Sequence, residues 1–265
     1  MGNEVVLRAT GLRMEFGGLR AVDGMDLAVR RGTLTAIIGP NGAGKTTLFN
    51  LLAGAYRPTT GRVELLGEDV TRLPAYARAR RGLARTFQIT RSLQRMTVLE
   101  NLLLAPGPQV GERLVAPLFL APRVAREAEA VRAKADAALR LFELESLKDE
   151  YAGALSGGQR KLLELARALM LEPKILLLDE PLAGVNRTLG LRLLEHIERV
   201  RAERGLTILL VEHDMDVVMR HSDRVVVMAE GKVVMSGTPA EVRRDERVID
   251  AYLGTGDGRQ GDDHA

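Results

Sequence analysis

Gly39-Pro40-Asn41-Gly42-Ala43-Gly44-Lys45-Thr46 fits the pattern G-x-x-x-x-G-K-[ST], and Thr47 extends the loop. Glycines let backbone N–H groups turn inward, and the helix that follows presents its positive end. Lys45 then sets a charge against the β- and γ-phosphates of a nucleoside triphosphate, and the Thr46 hydroxyl is a ligand for Mg²⁺. Two further groups extend this chemistry. Asp179 ends a run of four apolar residues and Glu180 follows it. A carboxylate at a strand's C-terminal edge lies where open α/β sheets bind ligands. Asp179 suits the acidic partner of the metal, and Glu180 is free to polarise water for in-line attack.

Leu155-Ser156-Gly157-Gly158-Gln159 puts a good N-cap and two bare glycine amides at a helix start. Alone it would read as an ordinary capped helix. His213, within Glu212-His213-Asp214, follows a strand and can hydrogen-bond a γ-phosphate, although a structural histidine is the commoner outcome. Gln88, after Arg85-Thr86-Phe87, offers a neutral amide to Mg²⁺ or water. Phe16 lies in an early turn, where it either stacks on a base or fills the core.

The elements that must position these residues follow from periodicity. Residues 5–9 and 25–29 alternate as short strands, with turns at Phe16-Gly17-Gly18 and Arg31-Gly32. Residues 33–38 form a continuous apolar strand into Gly39, and 46–52 a helix that Gly54 ends. Residues 60–67 read as a strand. From 98 to 104, 124 to 144 and 157 to 171 the pattern is helical, with a proline- and glycine-rich insert at 106–122. From 174 strands and helices alternate: strand 175–178, helix 189–204, strand 207–211, helix 215–222, strands 224–229 and 232–236. This favours an α/β fold with a mostly parallel sheet, an antiparallel N-terminal portion and an inserted helical lobe. The core spans 1–88 and 173–253, the lobe about 89–172. The polar tail, 254–265, reads as disordered.

Composition narrows the class. The 265 residues are 46% hydrophobic and 28% charged, with net charge +3. No run reaches the ~18 apolar residues that span a bilayer. Met1-Gly2-Asn3-Glu4 lacks a charged-then-apolar leader, so no secretory signal is expected, and the absence of cysteine fits a reducing cytosol. With no cysteine, disulfides and thiolate metal sites are excluded. The arginines are mixed with glutamates, as in Arg126-Glu127-Ala128-Glu129, so solvated faces are expected and nucleic acid is not. The densest basic cluster, 78–85, reads as an exposed face.

Taken together, these motifs resemble the ATP-binding cassette family over nearly the whole chain. Residues 39–47 are similar to its Walker A loop and Gln88 to its Q-loop. Residues 155–159 are similar to its signature, and 175–180 to the Walker B strand with its catalytic glutamate. Residues 183–186 resemble the D-loop, His213 the switch histidine and Phe16 the adenine-stacking aromatic. The resemblance implies a phosphate-loop NTPase core (RecA-like) and a head-to-tail dimer with two ATP molecules and Mg²⁺ between the protomers. Each ATP would contact one Walker A loop and the partner's residues Ser156, Gly157, Gly158 and Gln159. Lys45 and Ser156 lie far apart along the chain, and both suit phosphate. A lobe between them carries the serine to a second nucleotide more easily than to its own. Asn186 stands where the family often has aspartate, and its amide keeps hydrogen bonding but loses the charge.

Closer resemblance is to cassettes of the branched-chain amino acid importers. It rests on Phe16-Gly17-Gly18-Leu19-Arg20-Ala21-Val22-Asp23-Gly24, Arg85-Thr86-Phe87-Gln88, Met96-Thr97-Val98-Leu99-Glu100-Asn101 and Glu180-Pro181-Leu182-Ala183-Gly184-Val185. The resemblance implies a second cassette (identical or different), two membrane permeases and an extracytoplasmic solute-binding protein. It also implies a position on the inner face of the membrane. Cassettes for urea and short amides, and lipid or lipopolysaccharide exporter cassettes, are close alternatives. A non-transport ATPase fits less well. The stretch between Lys45 and Ser156 is too short for the coiled coil of repair cassettes, and translation cassettes join two nucleotide domains in one chain.

Overall fold

Two long strands, β1 (Val5–Phe16) and β2 (Leu19–Arg30), open the computed structural model, which describes residues 4–86, 93–106, 121–185 and 187–253. Gln88, Asn186, most of the 106–122 insert and the 254–265 tail lie outside the described residues. The two strands pair antiparallel well beyond the expected segments 5–9 and 25–29, because register shifts between Ala9 and Glu15 carry the ladder through a stretch without alternation. β4 (Thr60–Leu65) pairs with β1 and covers most of the expected strand 60–67, whose last two residues form the turn into β5 (Glu68–Asp69), which pairs with β4.

The second sheet has six strands in the order β10-β9-β3-β8-β7-β6. These are β3 (Leu34–Ile38), β6 (Leu83–Arg85), β7 (Ile175–Asp179), β8 (Thr207–Val211), β9 (Arg224–Ala229) and β10 (Lys232–Gly237). All neighbours are parallel except β9 and β10. Strands β3, β7 and β8 are buried on both faces, as parallel strands covered by helices must be. Their side chains sort by alternation. Ile175, Leu177, Leu209 and Val211 join α1 (Lys45–Ala53) and the antiparallel sheet in one cluster. Leu176, Leu178, Ile208 and Leu210 join the helical side of the molecule.

That side contains α3 (Val98–Leu103), α4 (Ala121–Leu141) and α5 (Gly157–Met170), which pack against one another. Leu99, Leu102, Leu139, Phe142 and Leu163 fill the space between them. Two capping boxes fix where these helices begin: Thr97 with Glu100, and Ser156 with Gln159. Asn101 is fully buried and binds the backbone of Leu93 and Thr97, which latches the entry loop onto α3. Backbone bonds from Val98 to Glu150 and from Ala152 to Met96 then tie this loop to the approach to Ser156. After β7 come α6 (Arg187–Arg204) and, after β8, α7 (Met215–His221). The chain closes with α8 (Pro239–Arg244) and α9 (Glu246–Leu253), which sequence reading did not anticipate. Among the described residues no helix is long and apolar enough to cross a membrane.

The basic cluster 78–85 corrects an expectation: it is not uniformly an exposed face. Arg78, on the short helix α2 (Ala75–Ala79), is 1% exposed. Its guanidinium donates to the carbonyls of Leu51 and Leu52 at 2.7 Å, Leu73 at 3.0 Å and Thr71 at 3.1 Å. It thereby serves two carbonyls of the last turn of α1, of which Leu51 also accepts from the Gly54 N–H at 3.2 Å. Burial pulls its pKa down to about 10, so it stays charged at neutral pH. Arg78→Met should destabilise the fold by on the order of 3 kcal/mol, because buried carbonyls lose a charged donor. Urea titration of both proteins measures this, and an unchanged midpoint would contradict it.

Candidate functional site

The parallel register brings the chemistry to one edge of the sheet. Asp179 pairs with Val211 and Ile37 also pairs with Val211, so β7, β8 and β3 end level with each other. Gly39, Glu180 and Glu212 are the next residues out on these three strands. The C-terminal edge of such a sheet is where open α/β folds bind ligands.

The phosphate loop runs from β3 into α1. Gly39 and Gly44 have φ of 150° and 95°, and a Cβ at either would come within 2.0 Å of the Met228 carbonyl or 2.1 Å of the Ala21 carbonyl. The loop is thus seated against β9 and β2, and those two positions have room for nothing but hydrogen. Helix α1 begins without a capping side chain and has no acidic residue in its first turn. Its positive end is left for a bound anion. Lys45 is buried and its Nζ donates to the Gly39 and Pro40 carbonyls at 2.7 and 2.8 Å. Burial lowers its pKa, against the opposing pull of Glu180 and Asp179. Asn41, Gly42 and Thr46 are exposed, whereas Ala43 is buried under the loop. Thr47 is half-buried.

Asp179 is wholly buried. Its Oδ2 accepts from Arg85 at 2.8 Å, and its Oδ1 is buried with no hydrogen-bond partner. An orphaned carboxylate oxygen beside a phosphate loop suits a hard cation or its water, so the residues present fit Mg²⁺. Arg85 also donates to Asn50 at 2.6 Å and lies over the Phe49 ring. The Arg85 contact was not legible in the sequence, where it counted toward a solvated basic face.

Glu180 leaves the strand with φ of 48°, a left-handed conformation that costs a non-glycine residue on the order of 1–3 kcal/mol. Its amide continues the ladder to Val211 at 3.0 Å, and its Oε1 lies 2.7 Å from His213 Nε2. The carboxylate and the imidazole are therefore in direct contact across two adjacent strand ends. A cleft of about 430 Å³, lined in part by Ala183, Asp214 and Arg220, opens beside this pair. Glu212 was passed over in the sequence. It is buried, and its carboxylate accepts from Leu182 N–H at 3.0 Å and His213 N–H at 3.1 Å. Burial raises its pKa, and the two amides oppose that rise.

Ser156 and Gly157 stand exposed at the N-terminus of α5. Nothing lies within 4 Å of a Cβ built on Gly157. At Gly158 such a Cβ would come within 2.0 Å of Leu189 Cδ2, so this glycine lets α5 pack on α6. The Gln159 side chain accepts from Ser156 N–H at 2.9 Å and the Ser156 hydroxyl accepts from Gln159 N–H at 3.3 Å. Phe16 is 43% exposed, which excludes a core role, and meets Tyr56 edge-on with centroids 5.7 Å apart. Tyr56 is a second exposed aromatic that sequence reading did not single out.

Known proteins resemble this chain over nearly its whole length. The family model described as ABC transporter matches residues 22–183, and one described as branched-chain amino acid ATP-binding cassette transporter matches 232–258. The high-affinity branched-chain amino acid transport ATP-binding protein BraF of Pseudomonas aeruginosa is 43% identical over 94% of this chain and 98% of its own. The ADP conformation of MJ1267, an ATP-binding cassette of an ABC transporter, is 37% identical with a TM-score of 0.81, over 95% of this chain and all of that one. A dimeric post-hydrolysis state of the cassette MJ0796, bound to ADP and Pi, is 25% identical with a TM-score of 0.73, over 88% of this chain and 98% of that one.

Proposed function

The chain belongs to the ABC transporter ATPase family, and from that premise we propose that it is the ATP-hydrolysing subunit of an importer for branched-chain amino acids. The observation that carries the reading is the meeting of a phosphate loop, a buried aspartate with one free oxygen, and a Glu180–His213 pair at one sheet edge. The solute class rests on the BraF likeness and on the C-terminal match at 232–258.

In this account the amides of 39–47 and Lys45 hold the β- and γ-phosphates, and Lys45 exchanges its two loop carbonyls for phosphate oxygens. Thr46, Asp179 and Gln88 would hold Mg²⁺, which would screen charge on the phosphates when bound. Glu180 orients a water and takes its proton as the water oxygen bonds to the γ-phosphorus and the bond to ADP breaks. His213 fixes the Glu180 carboxylate and binds the γ-phosphate. Phe16 stacks on adenine. Residues 1–253 act as one cassette, with a core of 1–88 and 173–253 and a lobe of about 89–172.

Family members work as dimers with membrane permeases. The exposure of Ser156 and Gly157, and the dimeric state of the MJ0796 cassette, support a composite site in which Ser156, Gly157, Gly158 and Gln159 complete the partner's nucleotide pocket. The assembly then comprises two cassettes on the cytoplasmic face, two permeases and an extracytoplasmic solute-binding protein. Reconstitution with the permeases tests the solute. ATP turnover should rise with a leucine-loaded binding protein and stay flat with a urea-loaded one. The reverse pattern would contradict the assignment.

A further inference from the structure

The segment that carries Glu180 has a second anchor, supplied by the helix that starts at Ser156. Lys161, half-buried in the second turn of α5, directs Nζ at the Glu180 carbonyl at 3.2 Å, the Pro181 carbonyl at 3.1 Å and the Ala183 carbonyl. An ammonium has three protons and accepts nothing, so three convergent carbonyls satisfy it. The same turn is also held by Glu212, which accepts from the Leu182 amide and from His213 N–H. Glu180 itself is in a left-handed conformation, which persists only if its surroundings enforce it. Close packing of Gly158 on Leu189 holds α5 against α6, the helix that follows this turn.

We propose that Lys161 is a positioning residue for hydrolysis: it locks the Glu180 turn to the helix whose tip serves the other nucleotide. This rests on the composite-site reading above. Each protomer would then link its own glutamate rigidly to the serine it lends its partner. A shift of α5 would be felt at Glu180 through one side chain, and the two ATP sites would turn over cooperatively.

Lys161→Met keeps the stem and removes the donors. Its kcat should fall about 10- to 100-fold, as misplacing a reacting group does, with nucleotide Kd and melting temperature close to wild type. The Hill coefficient for ATP should fall to one, and Lys161→Arg should restore most of the rate. Hydrogen exchange across residues 180–185 should speed up in Lys161→Met even without ATP. Wild-type kcat with wild-type exchange would overturn the proposal. So would a loss of activity that follows loss of folded protein and is not rescued by arginine. In either case wild-type turnover in the same assay leaves the ATPase reading standing, whereas an inert wild-type protein would remove that reading itself.

Discussion

Glu180→Gln is expected to bind ATP as the wild type does and to turn it over about 10²- to 10⁴-fold more slowly, the range for loss of a general base. The amide has the shape of the carboxylate and can keep the contact to His213 Nε2, which is 2.7 Å long. It can also keep the left-handed turn, because Lys161 and Glu212 grip the backbone and not the side chain. What it cannot do is accept the proton of the attacking water. Phosphate release should therefore nearly stop while a fluorescent nucleotide still titrates the protein. Turnover near the wild-type rate would remove Glu180 from this role.

Lys45→Ala is expected to fail at the earlier step. Each charge-assisted hydrogen bond to phosphate contributes roughly 1.5–3 kcal/mol, so losing two lowers ATP affinity by about 10²-fold or more. Thermal stability should fall only modestly with it: the Gly39 and Pro40 carbonyls lose a donor, and relief of a buried charge offsets part of that loss. Lys45 is buried, and its lowered pKa says that burial penalises the charged form. Calorimetric titration and a melting curve on the same sample separate affinity from folding. Undiminished affinity would show that the loop amides suffice without the lysine.

Much of the site was legible because buried parallel strands announce themselves as apolar runs and the chemistry begins where each run stops. Gly39, Asp179 and His213 were found in that way, and Ser156 read as an N-cap gave the start of α5. What escaped depends on partners remote in sequence. Nothing local to Arg78 shows that it will enter the end of α1, and nothing local to Arg85 shows that Asp179 will meet it. Glu212 and Lys161 look like surface charges until the turn between them is seen. Helix α8 is a different omission: Thr238-Pro239-Ala240-Glu241 has both a capping box and an N-terminal proline, and the signal was there to read. The strands β1 and β2 ran long because their shifts in register are set by pairing and not by alternation.

The central claim is that each nucleotide is held between two chains, and mixing two crippled proteins tests it directly. In a Glu180→Gln background, Lys45→Ala spoils the loop and Ser156→Arg spoils the helix tip. Each alone should elute as a monomer with ATP. An equimolar mixture should form a dimer with one intact site, built from the loop of one chain and the tip of the other, and should retain one ATP. If the Ser156→Arg protein alone retains ATP in a stable monomer at full stoichiometry, and mixing adds nothing, the site belongs to a single chain and the account is wrong.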